Sequence, residues 1–323
     1  MSERVRTRSS SGTPVSAPLN RQAAEPRFQV ADYAVLMKPR VMSLVVFTAL
    51  VGMLLAPGSI DPWTGTAAIV FIAFGAGAAG AINMWYDRDI DAQMRRTMQR
   101  PLPAGRMRPG SALVFGMLMA TGSVLAMGIY VNTVSAALLL ATIGYYVFVY
   151  TVWLKRITPQ NVVIGGVSGA LPPVVGWASV SADIGLGAIA LFLIIFLWTP
   201  PHSWALALFR RGDYQAAGVP MLPVVAGERA TQRQMIAYTA LLLPTSLLPV
   251  AIGLSGVLYA GVAVLFGIGF AFYTVSLWQA GQTPDNTPHT EHPARRLFFF
   301  SIQYLFALYL ALLIDQIVFY PLI

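Results

Sequence analysis

The sequence predicts an all-α polytopic membrane protein: a bundle of nine transmembrane helices, with the N-terminus in the cytoplasm and the C-terminus outside. Its 323 residues are 56% hydrophobic and only 11% charged, and the mean hydropathy is +0.65. Uncharged apolar stretches of about twenty residues, the length needed to cross a bilayer, recur along the chain. Lys and Arg are confined to alternate connections between these stretches, which is the pattern that sets membrane topology.

The elements follow in chain order from composition and hydropathy. Residues 1–30 are rich in Ser, Pro and Arg and have no apolar run, which predicts a disordered cytoplasmic tail. Residues 31–323 are expected to form one transmembrane domain. Its nine predicted spans lie near 41–56, 66–85, 110–130, 133–153, 161–180, 185–208, 233–254, 257–278 and 297–320.

The orientation follows from the positive charges. All 21 Lys and Arg lie in the tail, at the start of the first span or in the even-numbered connections. The odd-numbered connections, APGSIDPW, VNTV, VSADIG and LSGV, contain none. Because positive loops stay in the cytoplasm, this alternation predicts an odd number of spans and places the long connections 86–109, 209–232 and 279–296 on the cytoplasmic side.

Two function classes are disfavoured by composition. The chain has no cysteine, so disulfide and thiolate chemistry are excluded. The net charge of +8 is explained by topology, and no nucleic-acid partner is expected.

The second predicted span ends in an unusual cluster, NMWYDRDID at 83–91. On a helix Asn83, Asp87 and Asp91 are spaced i, i+4 and i+8, which places them on one stripe about 12 Å long, while Asp89 points to the other side. Close carboxylates repel one another unless a cation lies between them. Hard oxygen ligands of this kind suit Mg²⁺ that also binds substrate phosphate oxygens.

Four arginines accompany the stripe: Arg88, Arg95, Arg96 and Arg100. Guanidinium groups offer paired donors to phosphate oxygens, so these residues are candidates for binding a diphosphate. The alternative is a solvated helix end whose charges serve topology alone.

A similar but weaker motif, RRGDYQAAGVPMLPVVAGER at 210–229, follows the sixth span. It contains Asp213 together with Arg210 and Arg211, which are further candidates for binding the diphosphate. Both motifs are followed by similar Leu-Pro and Ala-Gly segments. The similarity of the two motifs suggests that the chain consists of two similar halves. A second acidic site facing the first would let two metal ions clamp one diphosphate, with Asp213 as the second site.

The two acidic motifs together resemble the UbiA superfamily of intramembrane prenyltransferases. Four blocks are similar to its haem-farnesylating branch, and they cover the first two-thirds of the chain. These blocks are LMKPRVMSLVVFTALVG (36–52), NMWYDRDIDAQMRRTMQRPLP (83–103), YTVWLKRITPQNVVIGGVSGALPPVVGW (150–177) and LWTPPHSWALALFRRGDYQAAGVPMLP (197–223).

The resemblance implies a bundle around a cavity that opens toward the cytoplasmic loops. It implies Mg²⁺-dependent transfer of a farnesyl group from farnesyl diphosphate to a vinyl group of haem B, making haem O, in a bacterial inner membrane or, alternatively, a mitochondrial one. Further expected partners are the lipid bilayer and proteins of terminal-oxidase biogenesis.

The resemblance also implies roles for individual residues. Asn83, Asp87, Asp91 and Asp213 would hold metal and diphosphate, and Arg40, Lys155 and Arg156 would be further diphosphate contacts. Because Gly212 leaves Asp213 as the lone acid of the second motif, water, Tyr214 or Asn161 would complete its ligand set.

Other side chains have candidate roles in the apolar interior. Tyr145, Tyr146 and Trp198 could stabilise an allylic cation or simply pack. His202, in TPPHSWAL, could ligate or orient the haem, or it could be a neutral histidine bonded to a carbonyl freed by a neighbouring proline. The faces of Trp198, Trp204 and Trp177 are candidates for stacking on a macrocycle. Asp315, near the outer end of the last span, is expected to reach toward the interface.

Two other functions remain open. The chain could prenylate an aromatic quinone precursor such as 4-hydroxybenzoate, since the acidic motif contacts only the diphosphate end of the donor. A secondary transporter is a second alternative, although transporters place ionisable groups near the membrane midplane rather than at one face.

Overall fold

The computed structural model describes residues 29–281 and 290–318, so nearly all of the predicted tail, 1–30, lies outside the described residues. The described residues are helical and contain no β-strand. The helices are α1 Val30–Leu36, α2 Pro39–Leu55, α3 Pro62–Tyr86, α4 Arg88–Asp91, α5 Pro109–Tyr130, α6 Thr133–Gly144, α7 Asn161–Ala170, α8 Pro172–Ser181, α9 Leu186–Phe209, α10 Arg211–Ala216, α11 Leu222–Val225, α12 Gly227–Thr245, α13 Leu248–Ala251, α14 Val257–Ala280 and α15 Glu291–Val318.

Within the described residues, eight helical segments are long and apolar enough to cross a membrane. They are Pro62–Tyr86, Pro109–Tyr130, Thr133–Arg156, Asn161–Ser181, Leu186–Phe209, Gly227–Ala251, Val257–Ala280 and Glu291–Val318. These eight match the second to ninth predicted spans, which confirms the all-α polytopic class. The first predicted span corresponds to α2, which α1 precedes at a bend of 54°.

The helix ends follow from local sequence. Proline stands in the first turn of α2, α3, α5 and α8. A backbone N–H in that turn has no partner within the helix, so proline can lack it without losing a hydrogen bond. Asp61 caps α3 by accepting a hydrogen bond from the backbone N–H of Thr64 at 2.9 Å. Asn132 caps α6 in the same way, accepting from Ser135 at 2.8 Å.

Two glycines let α2 and α8 approach backbone to backbone. A Cβ at Gly52 would collide with the carbonyl of Pro173, and a Cβ at Gly176 would collide with the carbonyl of Ala49. Small residues at such a crossing are typical of membrane bundles, where close packing replaces the hydrophobic effect. The segment GALPPVVGW therefore joins α7 to α8 at Leu171 and fixes α8 against α2.

The helix after α6 changes its winding. Residues Tyr145–Trp153 form a π-helix, and Leu154–Arg156 end it as a 3₁₀ turn. Wider helical turns of this kind are frequent at functional sites because they re-aim side chains.

Asp315 corrects a prediction. It does not reach toward the interface but is buried, and its carboxylate accepts hydrogen bonds from the backbone N–H groups of Gly256 and Tyr259. Two of the unpaired donors at the start of α14 are satisfied in this way, which explains a buried carboxylate there.

Most of the helices line a central cavity. Those that line it are α2, α3, α4, α6 with its π-helical extension, α7, α8, α9 and α10. The helices α12 and α15 pack on α9, and α14 packs on α15 and α12. Large apolar side chains such as Leu118, Ile268 and Phe272 remain more than 60% exposed on the outside, as expected of surfaces that face lipid.

Candidate active site

A cavity of about 370 Å³ occupies the centre of the bundle and differs in chemistry from one end to the other. Its charged end is lined by Lys38, Asn83, Asp91, Arg96, Arg100 and Lys155. Its apolar end is lined by Ile72, Leu139 and Ile143, and smaller apolar side chains lie between. Asn83 and Ile72 are eleven residues apart on α3, so this wall of the cavity is about 16 Å long at the rise of an α-helix.

The predicted stripe lies at the charged end. Asn83 lies in the last turn of α3, Asp87 follows that helix directly, and Asp91 ends α4. All three side chains are buried. The backbone N–H of Asp87 bonds to the carbonyl of Asn83, and that of Asp91 to the carbonyl of Asp87, so the chain keeps helical spacing through the motif. The Asn83 amide also donates to Asp87 Oδ2 at 2.7 Å.

Each member of the stripe has a basic partner. Lys38 Nζ donates to Asn83 Oδ1 at 2.7 Å, and Arg100 donates to Asp91 Oδ2 at 2.6 Å. Lys155 Nζ donates to Asp87 Oδ2. Asn83 and Asp91 line the cavity, whereas Asp87 is fully buried and does not. The carboxylate of Asp87 is thus covered in this structure, and its Oδ2 is held by the Lys155 ammonium.

Asp89 lies on the opposite side of the segment, as the helical spacing predicts. Its carboxylate accepts two hydrogen bonds of 2.7 Å from Arg156, which hold the pKa of Asp89 below its usual range. The Arg156 guanidinium also stands over the ring of Tyr86, 4.7 Å from its centroid. Arg156 does not line the cavity, although its Nη2 is 3.6 Å from Asp87 Oδ1.

Lys38 is a site residue that sequence reasoning missed in favour of Arg40. The Arg40 side chain is exposed and does not line the cavity. Arg40 lies in the first turn of α2, whereas Lys38 precedes that helix and contacts Asn83. Lys38 has a left-handed backbone, with φ of 52°, immediately before Pro39. A strained backbone at a buried polar contact is a signal of function that only the structure provides.

The four arginines of the first motif divide into two pairs. Arg96 and Arg100 line the cavity, as predicted for diphosphate contacts. Arg88 and Arg95 are exposed and do not line it. Arg88 donates to the backbone carbonyl of Trp85 at 2.6 Å, so its guanidinium is held against its own helix end.

The second motif is not a mirror image of the first. Tyr214, on α10, is buried and lines the cavity, but Asp213 does not line it. Burial raises the pKa of Tyr214, so its phenol stays protonated and can donate a hydrogen bond. Arg211 forms an ion pair of 3.5 Å with Glu228, away from the cavity. Arg210 is exposed and does not line the cavity either.

Carboxylate and amide oxygens of the two motifs and of α7 are hard ligands of the kind that Mg²⁺ prefers. Asp87 Oδ1, Asn161 Oδ1 and Asp213 Oδ2 are buried and have no hydrogen-bond partner. Within the described part of the chain, no three acidic or histidine side chains form a complete metal site. Mg²⁺ commonly takes one or two carboxylates together with phosphate oxygens, so Asp87 and Asp91 fit it when a diphosphate supplies the remaining ligands.

Aromatic side chains of the π-helix form part of the wall. Tyr146 and Tyr150 line the cavity, and their ring centroids are 5.3 Å apart. A Cβ at Gly165 would collide with the ring of Tyr150, so this glycine makes room for it. Tyr145 instead donates to the carbonyl of Ile164 at 3.1 Å and does not line the cavity.

The three tryptophans predicted to stack on a macrocycle lie in the core. Trp177, Trp198 and Trp204 are at most 8% exposed, and none lines the cavity. The indole N–H of Trp198 donates to the carbonyl of Ser301 at 2.7 Å.

His202 faces α15 rather than the cavity. Its Nδ1 is 2.7 Å from the hydroxyl oxygen of Ser301, and it is not bonded to a carbonyl freed by proline. Its ring is stacked between those of Trp198 and Phe298, with centroid distances of 4.2 and 4.6 Å. In this structure His202 fixes the packing of α9 against α15.

Fold and site together define the class: a polytopic membrane protein with carboxylates and cations at one end of an apolar cavity. The chain belongs to the UbiA prenyltransferase family, whose pattern matches residues 45–302. It is therefore an enzyme, a prenyltransferase of the membrane.

Relatives resemble the chain over most of its length. A protein of Bartonella tribocorum named protoheme IX farnesyltransferase is 50% identical over 93% of this chain and 96% of its own. A protein of the same name from Rhizobium rhizogenes is 54% identical over 89% of each chain.

Solved structures share the fold at low identity. A digeranylgeranylglyceryl phosphate synthase superposes with a TM-score of 0.73 at 17% identity, covering 90% of this chain and 99% of the other. A UbiA homologue from Archaeoglobus fulgidus, solved with GPP and Mg²⁺, gives a TM-score of 0.62 at 15% identity, covering 87% and 99%.

Proposed function

We propose that this enzyme transfers a farnesyl group from farnesyl diphosphate to a vinyl group of haem B, making haem O, with Mg²⁺ as cofactor. The observation that carries the proposal is the charged end of the cavity, where three basic side chains contact the stripe: Lys38, Lys155 and Arg100. The apolar part of the cavity, which extends from Asn83 to Ile72, forms a shaft. The two relatives named above, each about half identical over about nine-tenths of the chain, support haem as the acceptor.

The length of the shaft supports a fifteen-carbon donor. An extended chain advances about 1.2 Å per bond, as three backbone bonds do per residue. Twelve bonds from the diphosphate oxygen to the end of a farnesyl chain then span about 14 Å. The wall from Asn83 to Ile72 is about 16 Å long, which accommodates three isoprenyl units but not four.

The basic side chains bind and orient the diphosphate. Lys38, Lys155 and Arg100 turn from their partners on the stripe toward diphosphate oxygens, and the phenol of Tyr214 donates a further hydrogen bond. Departure of Lys155 uncovers Asp87, which with Asp91 would hold Mg²⁺. Bound Mg²⁺ supplies positive charge to the leaving diphosphate oxygens.

Transfer depends on charge that appears only as the bond breaks. When the farnesyl C1–O bond breaks, negative charge grows on the diphosphate, and Lys155 and Arg100 stabilise it more than they stabilise the bound substrate. The faces of Tyr146 and Tyr150 stabilise the allylic cation, and the apolar walls exclude water from it. The terminal vinyl carbon then forms the new C–C bond, and water adds to the carbon beside the ring with loss of a proton.

The purified protein in nanodiscs, given haem B, farnesyl diphosphate and Mg²⁺, is expected to yield a farnesylated haem detectable by mass spectrometry. Product from 4-hydroxybenzoate and none from haem B would instead establish the quinone-precursor alternative. Ile72→Ala should raise the ratio of kcat/KM for geranylgeranyl to that for farnesyl diphosphate several-fold by deepening the shaft. Ile69→Ala is the matched control, because Ile69 lies on the same helix and does not line the cavity.

The finer membrane arrangement is part of the proposal. We place nine spans in a bacterial inner membrane, with α1 and α2 as one bent span, the N-terminal tail 1–30 in the cytoplasm, and 31–323 as the catalytic domain. Terminal-oxidase biogenesis proteins would receive the product. Reporter fusions after Arg108 should indicate the cytoplasm and fusions after Asp183 the opposite side, and a cytoplasmic signal at Asp183 would contradict nine spans.

A further inference from the structure

A second pocket of about 370 Å³ adjoins the cavity at its charged end. The two share Arg96 and Leu206 as a common wall, so a ligand seated in the second pocket lies next to the site of the diphosphate. The rest of its lining comes from the end of α9 and the start of α15. It includes none of the metal-binding stripe.

The pocket is both basic and aromatic. Its charged residues are Arg96, Arg210, Arg295 and Glu291, which leaves a formal charge of +2 with His292 neutral. Within the described residues, neither Arg210 nor Arg295 has an ion-pair partner.

The guanidinium groups of these two arginines each lie near a phenyl ring. The Arg210 guanidinium carbon is 5.7 Å from the ring centroid of Phe209, and that of Arg295 is 5.8 Å from the ring of Phe299. Unpaired guanidiniums on aromatic platforms are suited to carboxylates attached to a flat apolar molecule.

We propose that this pocket binds the two propionate carboxylates of the acceptor porphyrin, through Arg210 and Arg295. This inference rests on the proposed function. The vinyl groups of haem B lie on the opposite edge of the macrocycle from the propionates. With the carboxylates held here, the ring crosses Leu206 and its vinyl edge reaches the charged end of the cavity.

The same arrangement gives His202 a positioning role. Its ring stacks on Phe298, which lines the pocket, and Ser301 holds the imidazole in place. The TPPHSWAL segment therefore contacts the wall of this pocket through His202.

The test compares two acceptors in two proteins. In nanodiscs of phosphatidylcholine, the wild type should bind haem B at least about tenfold more tightly than haem B dimethyl ester, measured by absorbance titration, since charge-assisted bonds to both carboxylates are lost. The double variant Arg210→Gln/Arg295→Gln should lose that preference, while its binding of the ester changes less than about twofold. Its KM for farnesyl diphosphate should stay unchanged. Arg296→Gln, at the exposed neighbouring position outside this pocket, is the matched control.

Three outcomes would overturn the proposal: equal binding of acid and ester by the wild type, equal losses for both acceptors in the double variant, or an Arg296→Gln effect as large as that of the double variant. Loss of the preference when phosphatidylglycerol is added would assign the pocket to lipid headgroups and also overturn it. A wild type that prefers the free acid but makes no farnesylated haem would leave the pocket assigned and the proposed function wrong.

Discussion

The two acidic motifs have similar sequences and different structures. At 83–106 three oxygen-bearing side chains are buried together, and each has a basic partner. At 210–229 Asp213 stays outside the cavity lining and Arg211 pairs with Glu228 instead. Of the second motif, Tyr214 and Met221 line the cavity, and neither carries a charge. A motif therefore acquires a role from what the neighbouring helices place opposite it, and a sequence echo does not ensure equal roles.

The largest expected effect is at the first motif. Asp87→Asn should lower farnesyl transfer by about 10²–10³-fold, because it removes the charge that holds Lys155 and that would hold Mg²⁺. The measurement is kcat/KM for farnesyl diphosphate over a Mg²⁺ titration, in which the Mg²⁺ requirement should rise. Asp89→Asn is the control, since its carboxylate faces Arg156, and it should keep at least a third of the activity. Equal losses in the two variants would contradict the stripe geometry.

Lys38 tests whether the partners of the stripe matter as much as its acids. Lys38→Met should reduce kcat/KM for farnesyl diphosphate by about 10–100-fold, the range for one buried charge-assisted hydrogen bond. Arg40→Met, two residues away and exposed, should stay within about twofold. A larger loss of kcat/KM in Arg40→Met than in Lys38→Met would mean that α2 turns its other side to the substrate.

Asp213 decides whether the second motif contributes to metal binding. Asp213→Asn should lower transfer by at most about tenfold, because the carboxylate does not line the cavity and acts on bound ligands only from outside it. The apparent Mg²⁺ affinity should change less than it does in Asp87→Asn. A loss equal to that of Asp87→Asn would show that α10 turns inward with substrate and that the two motifs act symmetrically.

Arg211 is expected to have the smallest effect. Its pair with Glu228 is partly exposed and 3.5 Å long, so Arg211→Gln should change the free energy of unfolding by less than about 1 kcal/mol. Transfer should stay within about twofold of wild type, and thermal unfolding in detergent gives the stability. A large loss of transfer with unchanged stability would assign Arg211 to the diphosphate after all.

Much of the fold follows from properties that act along the chain. Hydropathy located eight of the spans that the structure describes, because crossing a bilayer requires about twenty apolar residues in a row. Helical spacing placed Asp87 and Asp91 on one side and Asp89 on the other, since that relation depends only on residues within two turns.

Partnerships across the bundle were decided by tertiary structure. Lys38 is 45 residues from Asn83, and Lys155 is 68 residues from Asp87, so no local pattern joins them. The packing of α2 and of the π-helix against α3 selected Lys38 over Arg40 and Lys155 over Arg156. The side to which Asp213 points was likewise set by how α10 follows α9. Charge and periodicity specify which groups are available, whereas the direction of each side chain depends on helices that are distant in sequence.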